Sequence, residues 1–177
     1  MSIKNLSYTT VIFVLILFFV SNKKSGVLSN PMVAENSPIK NHSQAVSLQM
    51  YDAIIKYSEM YNIPKRYAFG IAYAETRYEG PFHWKYNPKQ TSCVGALGPM
   101  QIMPSTGRSM WKDRNVTNEE LMNDIDFNVH TSMKLLRKLH DRYGNWKLVF
   151  GCYNTGRPMI NGYAEKVYNH KINWKLN

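Results

Sequence analysis

Two cysteines among 177 residues are too few for a disulfide framework, so packing must hold this chain together. Cys93 and Cys152 read as small unpaired residues rather than as a bond. The sequence has no arginine-rich run, no Cys/His spacing of the zinc-ligand kind and no Gly-rich phosphate loop. Nucleic acid therefore recedes as a partner, and neither a metal nor an organic cofactor is implied. No internal repeat appears, and no pair of segments alternates apolar and polar residues as paired strands would. Acidic residues are also scarce. Asp and Glu number 12 against 22 Lys and Arg, a formal charge of +10 that calls for acidic company such as lipid headgroups or bacterial wall polymers.

The chain does have apolar and aromatic bulk. A hydrophobic fraction of 44%, with 12 tyrosines and 4 tryptophans, can fill the core of one domain with a tail to spare. Lys4 precedes "YTTVIFVLILFFVS" (8–21), which has the length of a secretory core and is short for a membrane span. No small-x-small cleavage site follows, since Asn22, Lys23 and Lys24 come next. Residues 1–21 are thus either a cleaved signal or an uncleaved membrane anchor, and export to the cell envelope is expected in both cases. Residues 22–43, rich in Ser, Asn and Pro without periodicity, read as a linker.

From residue 44 the patterning is helical. Ala45, Leu48, Tyr51, Ile55 and Met60 fall at steps of three to five residues before Pro64 punctuates. A second helix is expected through "KRYAFGIAYAETRY", with Tyr67, Ile71, Ala74 and Tyr78 on one face. Gly80-Pro81 and an irregular stretch to residue 98 follow. Pro104 suits a helix start, and Thr117 with Glu120 makes a capping box for 118–123. Ile125, Val129, Met133, Leu136, Leu139 and Tyr143 trace the clearest apolar stripe, closed by Gly144. "NWKLVFGCYN" stops at Gly156, and a last helix is expected over "YAEKVYNHKINW". The chain reads as all-α.

Few residues in this pattern can do chemistry. Glu75, in "GIAYAETRY", has apolar and aromatic neighbours, and burial would make it hold its proton toward neutral pH. A general acid needs that property; the plainer reading is a helix-end glutamate paired with Arg77 or a lysine. In "GALGPMQIMPST" (95–106), Gln101 offers a donor and an acceptor at a glycine-flanked bend, facing a neutral ligand or satisfying the loop itself. In "GCYNTG" (151–156), Tyr153 can stack on a sugar and Asn154 can bond an amide, or they serve as core tyrosine and helix cap. Tyr163, in "YAEKV", can reach a buried carboxyl or lie on a surface helix. Neutral amides and aromatics around one acid are what an uncharged sugar requires.

"AET", "GALGPMQIMPST", "GCYNTG" and "YAEKV" stand in an order and spacing that resembles the soluble-lytic-transglycosylase (SLT) domain, a goose-lysozyme-like family acting on peptidoglycan. The resemblance covers about residues 44–172. Thr76 replaces the family's usual serine and keeps the hydroxyl; Pro99 replaces leucine and Cys152 replaces alanine. The resemblance implies a lysozyme-like helical domain over 44–177 with an active-site groove, acting as a monomer on glycan strands. It implies Glu75 as the single catalytic acid and base, with Thr76, Met100, Gln101, Tyr153, Asn154 and Tyr163 at the substrate, and a 1,6-anhydro product formed without water. Met100 would offer an apolar wall and Tyr163 would orient Glu75. Two rivals share this ground. A goose-type lysozyme would need a placed water and a helper such as Glu79 or Asp113, and a wall-binding module would need no acid. A phage or secretion-system setting would keep the same chemistry.

Overall fold

A computed structural model describes residues 45–174, so the expected leader at 1–21 and the linker at 22–43 lie outside the described residues, as does residue 44. Seven helices follow in order: α1 (Val46–Met60), α2 (Lys65–Thr76), α3 (Pro104–Met110), α4 (Asn118–Asn123), α5 (Ile125–Tyr143), α6 (Trp146–Thr155) and α7 (Gly162–Tyr168). Among the described residues there is no strand, only isolated bridges joining Leu97 to Thr91 and to Ile102. The expected all-α class holds. No helix among the described residues is long and apolar enough to cross a membrane.

Local chemistry sets most of the boundaries. The Thr117 side chain accepts from the Glu120 amide to start α4, and Asp124 accepts from Phe127 to start α5. Gly144 and Gly156, both left-handed, end α5 and α6 where the sequence put them. Along α5 the stripe Val129, Met133 and Leu136 is fully buried. It packs against α1 and α6, and α7 closes on α6 and α2. Phe69, Ile71, Tyr78, Met50 and Phe150 complete the core. Gly151 lets α6 press on the chain after it, because a Cβ there would lie 1.6 Å from the Met159 carbonyl oxygen. Cys93 is exposed, Cys152 is buried, and both are free thiols.

Three expectations need correction. Helix α2 ends at Thr76, not Tyr78: Arg77 turns left-handed (φ 59°) and throws Tyr78 into the core, where its hydroxyl donates to the Ser47 carbonyl at 2.7 Å. Helix α7 ends at Tyr168 because the chain must turn back to set the Trp174 ring edge-on against Phe69 and over Gly80. In α1 the buried face is Met50, Ala53, Ile54 and Tyr57, not the stripe of Ala45, Leu48, Tyr51, Ile55 and Met60. That stripe is partly or fully exposed, and Leu48, Tyr51 and Ile55 line an apolar hollow with Pro81, Phe82 and Trp84.

Candidate active site

Glu75 stands on the last turn of α2 and is half-buried. Its Oε1 accepts a hydrogen bond of 2.5 Å from the Tyr163 hydroxyl, which the first turn of α7 presents. That turn is fixed by Asn161, whose side chain accepts from the Ala164 amide at 2.9 Å. Burial pushes the Glu75 carboxyl up to about 7, against the Tyr163 hydrogen bond and the Lys166 charge, which both pull it down. A carboxyl poised there can give a proton and take one back near neutral pH. Tyr153 feels the same carboxylate: burial chiefly, and then the Glu75 charge, push its phenol far up.

The stretch 97–102 is a tight turn closed by reciprocal bonds, Leu97 N–H to Ile102 O (2.9 Å) and Ile102 N–H to Leu97 O (3.0 Å). Gly98 (φ 74°) is required there, since a Cβ would sit 2.3 Å from the Leu121 carbonyl oxygen. Gln101 is left-handed at φ 49°, a conformation that costs a non-glycine residue on the order of 1 kcal/mol. Its side-chain nitrogen donates to the carbonyls of Gly98 (2.8 Å) and Gln90 (3.0 Å). Both partners are carbonyls, so it is the amide nitrogen, the donor, that faces them.

Two residues expected at the substrate lie inside the protein. Thr76 is 3% exposed; its hydroxyl donates to the Pro99 carbonyl at 2.8 Å and pairs with the Tyr86 hydroxyl at 2.9 Å. Met100 is fully buried, so its side chain belongs to the core rather than to a groove wall. Thr76 ties the 97–102 turn to the end of α2, and Met100 fills the core beneath that turn. Tyr153 joins them, donating to the Met100 carbonyl at 2.7 Å and meeting the Ser132 hydroxyl at 2.9 Å. Asn154, at the end of α6, is exposed and accepts from the Asn161 side chain at 3.3 Å. Glu75, Tyr153 and Tyr163 are thus brought together electrically and by hydrogen bonding, and Gln101 stands in the turn that Tyr153 holds.

Sequence reasoning missed the residue that secures this arrangement. Asn128, buried on α5, donates to the Leu97 and Leu121 carbonyls (2.9 and 2.7 Å) and accepts from the Met100 amide at 2.9 Å. A signal was present: Asn128 and Ser132 are polar, four residues apart, and sit among Val129, Met133 and Leu136 on an apolar face. Gln90 was also missed, because its part is played by a backbone carbonyl, which any residue has. Of the two proposed helpers, Glu79 lies exposed beyond α2, in a hollow with Tyr73 and His170, and Asp113 is exposed beyond α3.

Known proteins resemble this chain in sequence and in fold. The family described as the transglycosylase SLT domain matches residues 52–175. A transglycosylase of Enterobacteria phage PRD1 is 33% identical over 132 residues, which cover 74% of this chain and 44% of that protein. The soluble lytic murein transglycosylase of Escherichia coli K12 is 29% identical over 109 residues, 59% of this chain and 16% of its own. The chain thus spans less than half the length of either relative. The solved 70-kDa soluble lytic transglycosylase of Escherichia coli superposes with a TM-score of 0.52 at 27% identity, over 66% of this chain and 18% of that one. The helical, lysozyme-like fold expected from the sequence is the fold they share.

Proposed function

The chain belongs to the transglycosylase SLT domain family, and we propose that it cleaves peptidoglycan between N-acetylmuramic acid and N-acetylglucosamine as a lytic transglycosylase. One observation carries the proposal: a half-buried carboxyl, held by a phenol and raised to about 7 by burial. Protonated Glu75 gives its proton to the glycosidic oxygen, the C1–O bond breaks, and the N-acetylglucosamine leaves with a free hydroxyl. The muramoyl acetamido oxygen shares the positive charge at C1. The Glu75 carboxylate then takes the proton of the muramoyl 6-hydroxyl, whose oxygen bonds to C1. The acid is regenerated, the product is a 1,6-anhydro sugar, and no water is consumed. This sequence needs no second carboxylate, unlike the two-carboxylate glycosidases.

Tyr163 orients the carboxyl. The Gln101 amide oxygen and the exposed Asn154 amide bond the acetamido groups, and Tyr153 backs the acid. Thr76 and Met100 act from below, by fixing the turn that carries Gln101. The substrate sets the location: residues 8–21 deliver the domain to the cell envelope, as signal or as anchor.

Mass spectrometry of muropeptides released by the full chain tests this. Fragments ending in anhydromuramic acid, one water lighter than hydrolysis products and absent with Glu75→Gln, are expected. Reducing ends would make the protein a hydrolase and overturn the lyase chemistry. Wall binding without fragments would remove the enzymatic reading altogether.

A further inference from the structure

Helix α1 carries two apolar faces, and the core uses one of them. Met50, Ala53, Ile54 and Tyr57 are buried, while Leu48, Tyr51 and Ile55, at steps of three and four residues, share another side. With Ala45, Pro81, Phe82 and Trp84 they line a hollow of about 300 Å³. The two aromatics there are the most exposed large apolar side chains of the described residues, Trp84 at 77% and Phe82 at 73%. Their rings stand together, with centroids 6.3 Å apart. No lining residue bears a carboxylate, a side-chain amide or a cation.

The loop that carries the two rings is held at both ends. The Ser47 hydroxyl donates to the Pro81 carbonyl at 2.9 Å, and Tyr86 is buried, its hydroxyl 2.9 Å from that of Thr76. Between these points the amides of His83 and Tyr86 donate to the Gly80 and His83 carbonyls, at 3.2 and 2.9 Å. Little backbone ordering is left to oppose binding by such a loop. Two adjacent rings kept in water gain free energy wherever water leaves them.

We infer that this face seats on an anionic lipid bilayer, with Phe82 and Trp84 entering the boundary between headgroups and acyl chains, an inference that goes beyond the lytic reading and does not depend on it. The lining's polar side-chain groups are the Tyr51 hydroxyl and the Trp84 indole N–H. These are too few for a sugar, which needs several hydrogen bonds, while rings with one polar tip suit the bilayer interface. Ala45, the first described residue, lines the hollow, so the chain that carries the apolar run 8–21 joins the domain at this face. Beside Phe82 and Trp84, Lys85 stands against Glu79. Apolar contact therefore supplies the local attachment, and the +10 charge of the chain draws it to anionic headgroups. The domain thereby has a membrane contact of its own, whether residues 8–21 are kept or removed.

The full chain is added to vesicles of phosphatidylethanolamine and phosphatidylglycerol whose acyl chains carry bromine near the headgroup. Bromine quenches tryptophans that touch the lipid, and Trp84 is one of 4. Emission should fall by about a quarter relative to unbrominated vesicles, the share of one interfacial ring, and Trp84→Phe should lose that fall. Phe82→Asp should lose it too, because a carboxylate does not enter the acyl boundary. Its urea midpoint should not change, since Phe82 projects from the surface. Quenching absent from the wild type, or kept in full by either variant, would overturn the inference. So would a Phe82→Asp loss of muropeptide release from lipid-free peptidoglycan, which would give the two rings to the glycan. Trp84 quenching in a wild type that releases no muropeptides would leave this inference standing and remove only the lytic reading.

Discussion

A wide acidic cleft and the desolvated carboxyl of Glu75 are in different places. Between α1 and the α4–α5 junction lies a cleft of about 830 Å³ lined by Asp52, Glu119, Glu120, Asp124 and Asp126 with Lys56. It holds five of the chain's 12 acidic residues, yet three of these carboxylates have visible structural work. Asp126 pairs with Lys56 at 3.0 Å and accepts from the Tyr57 hydroxyl, Glu120 pairs with Arg114, and Asp124 caps α5. The Asp126 side chain is 55% exposed, so water stabilises its charge. Glu75 has no ion pair among the described residues and less water, and its proton affinity rises accordingly. Volume and charge mark the cleft; desolvation singles out Glu75.

Exchanging one carboxylate on each side gives the sharpest break of that comparison. Glu75→Gln keeps shape and removes the proton donor, so turnover of peptidoglycan should fall by about 10³-fold, within the range for a general acid. Asp126→Asn should leave turnover within about 2-fold and cost about 0.5 kcal/mol, as exposed pairs do. Rates from muropeptide release and denaturation midpoints check both. A large activity loss in Asp126→Asn would move the site to the cleft.

Asn128→Ala comes next in size. It strands the Leu97 and Leu121 carbonyls and the Met100 amide, all three bonded to one buried amide group. The expected loss is about 3 kcal/mol of stability by urea denaturation. Turnover should also fall below that of an equally destabilised core variant such as Leu136→Ala, because the Gln101 turn loses its support. Equal turnover in the two would mean that the turn holds itself.

These two residues also mark what the sequence revealed and what it hid. Glu75 was legible because an acid among Ala, Tyr and Ile side chains on a helix is an anomaly within a single segment. Helices α4, α5 and α6 were legible because their caps and periodicity are local. Asn128 was hidden because its three partners come from segments 7 to 31 residues away. Thr76 and Met100 were assigned to the substrate for a similar reason. Their motif neighbours suggested the groove, while their burial depends on Tyr86, Pro99 and Tyr153 arriving from elsewhere. The face of α1 was misread because its apolar residues supply both a core face and a second, exposed one.

A third contrast is thermodynamic. The Glu75 carboxyl titrates near 4.5 when unfolded and at about 7 when folded. Between those values the folded state binds more protons, so stability falls as pH rises through the window and is level above it. A shift of that size corresponds to roughly 3 kcal/mol, and solvent reaching the half-buried group reduces this to about 2 kcal/mol. Glu75→Gln should therefore match wild type at pH 4 and exceed it by about 2 kcal/mol at pH 8. Parallel urea titrations at the two pH values decide it; equal stability of Glu75→Gln and wild type at pH 8 would mean that the acid is solvated.

The smallest effect isolates the phenol. Tyr163 donates to the ionised form of Glu75, so its hydrogen bond lowers the carboxyl pKa while burial raises it. Tyr163→Phe removes that opposing influence and must move the alkaline limb of the pH–rate profile upward, not downward. The rate at the optimum should fall by about 10-fold, since the acid loses its orientation but keeps its proton. A structural role alone would lower the rate without moving the limb. An unmoved limb with a lower rate would therefore make Tyr163 a packing residue, and an upward limb would show the phenol tuning the proton affinity of Glu75.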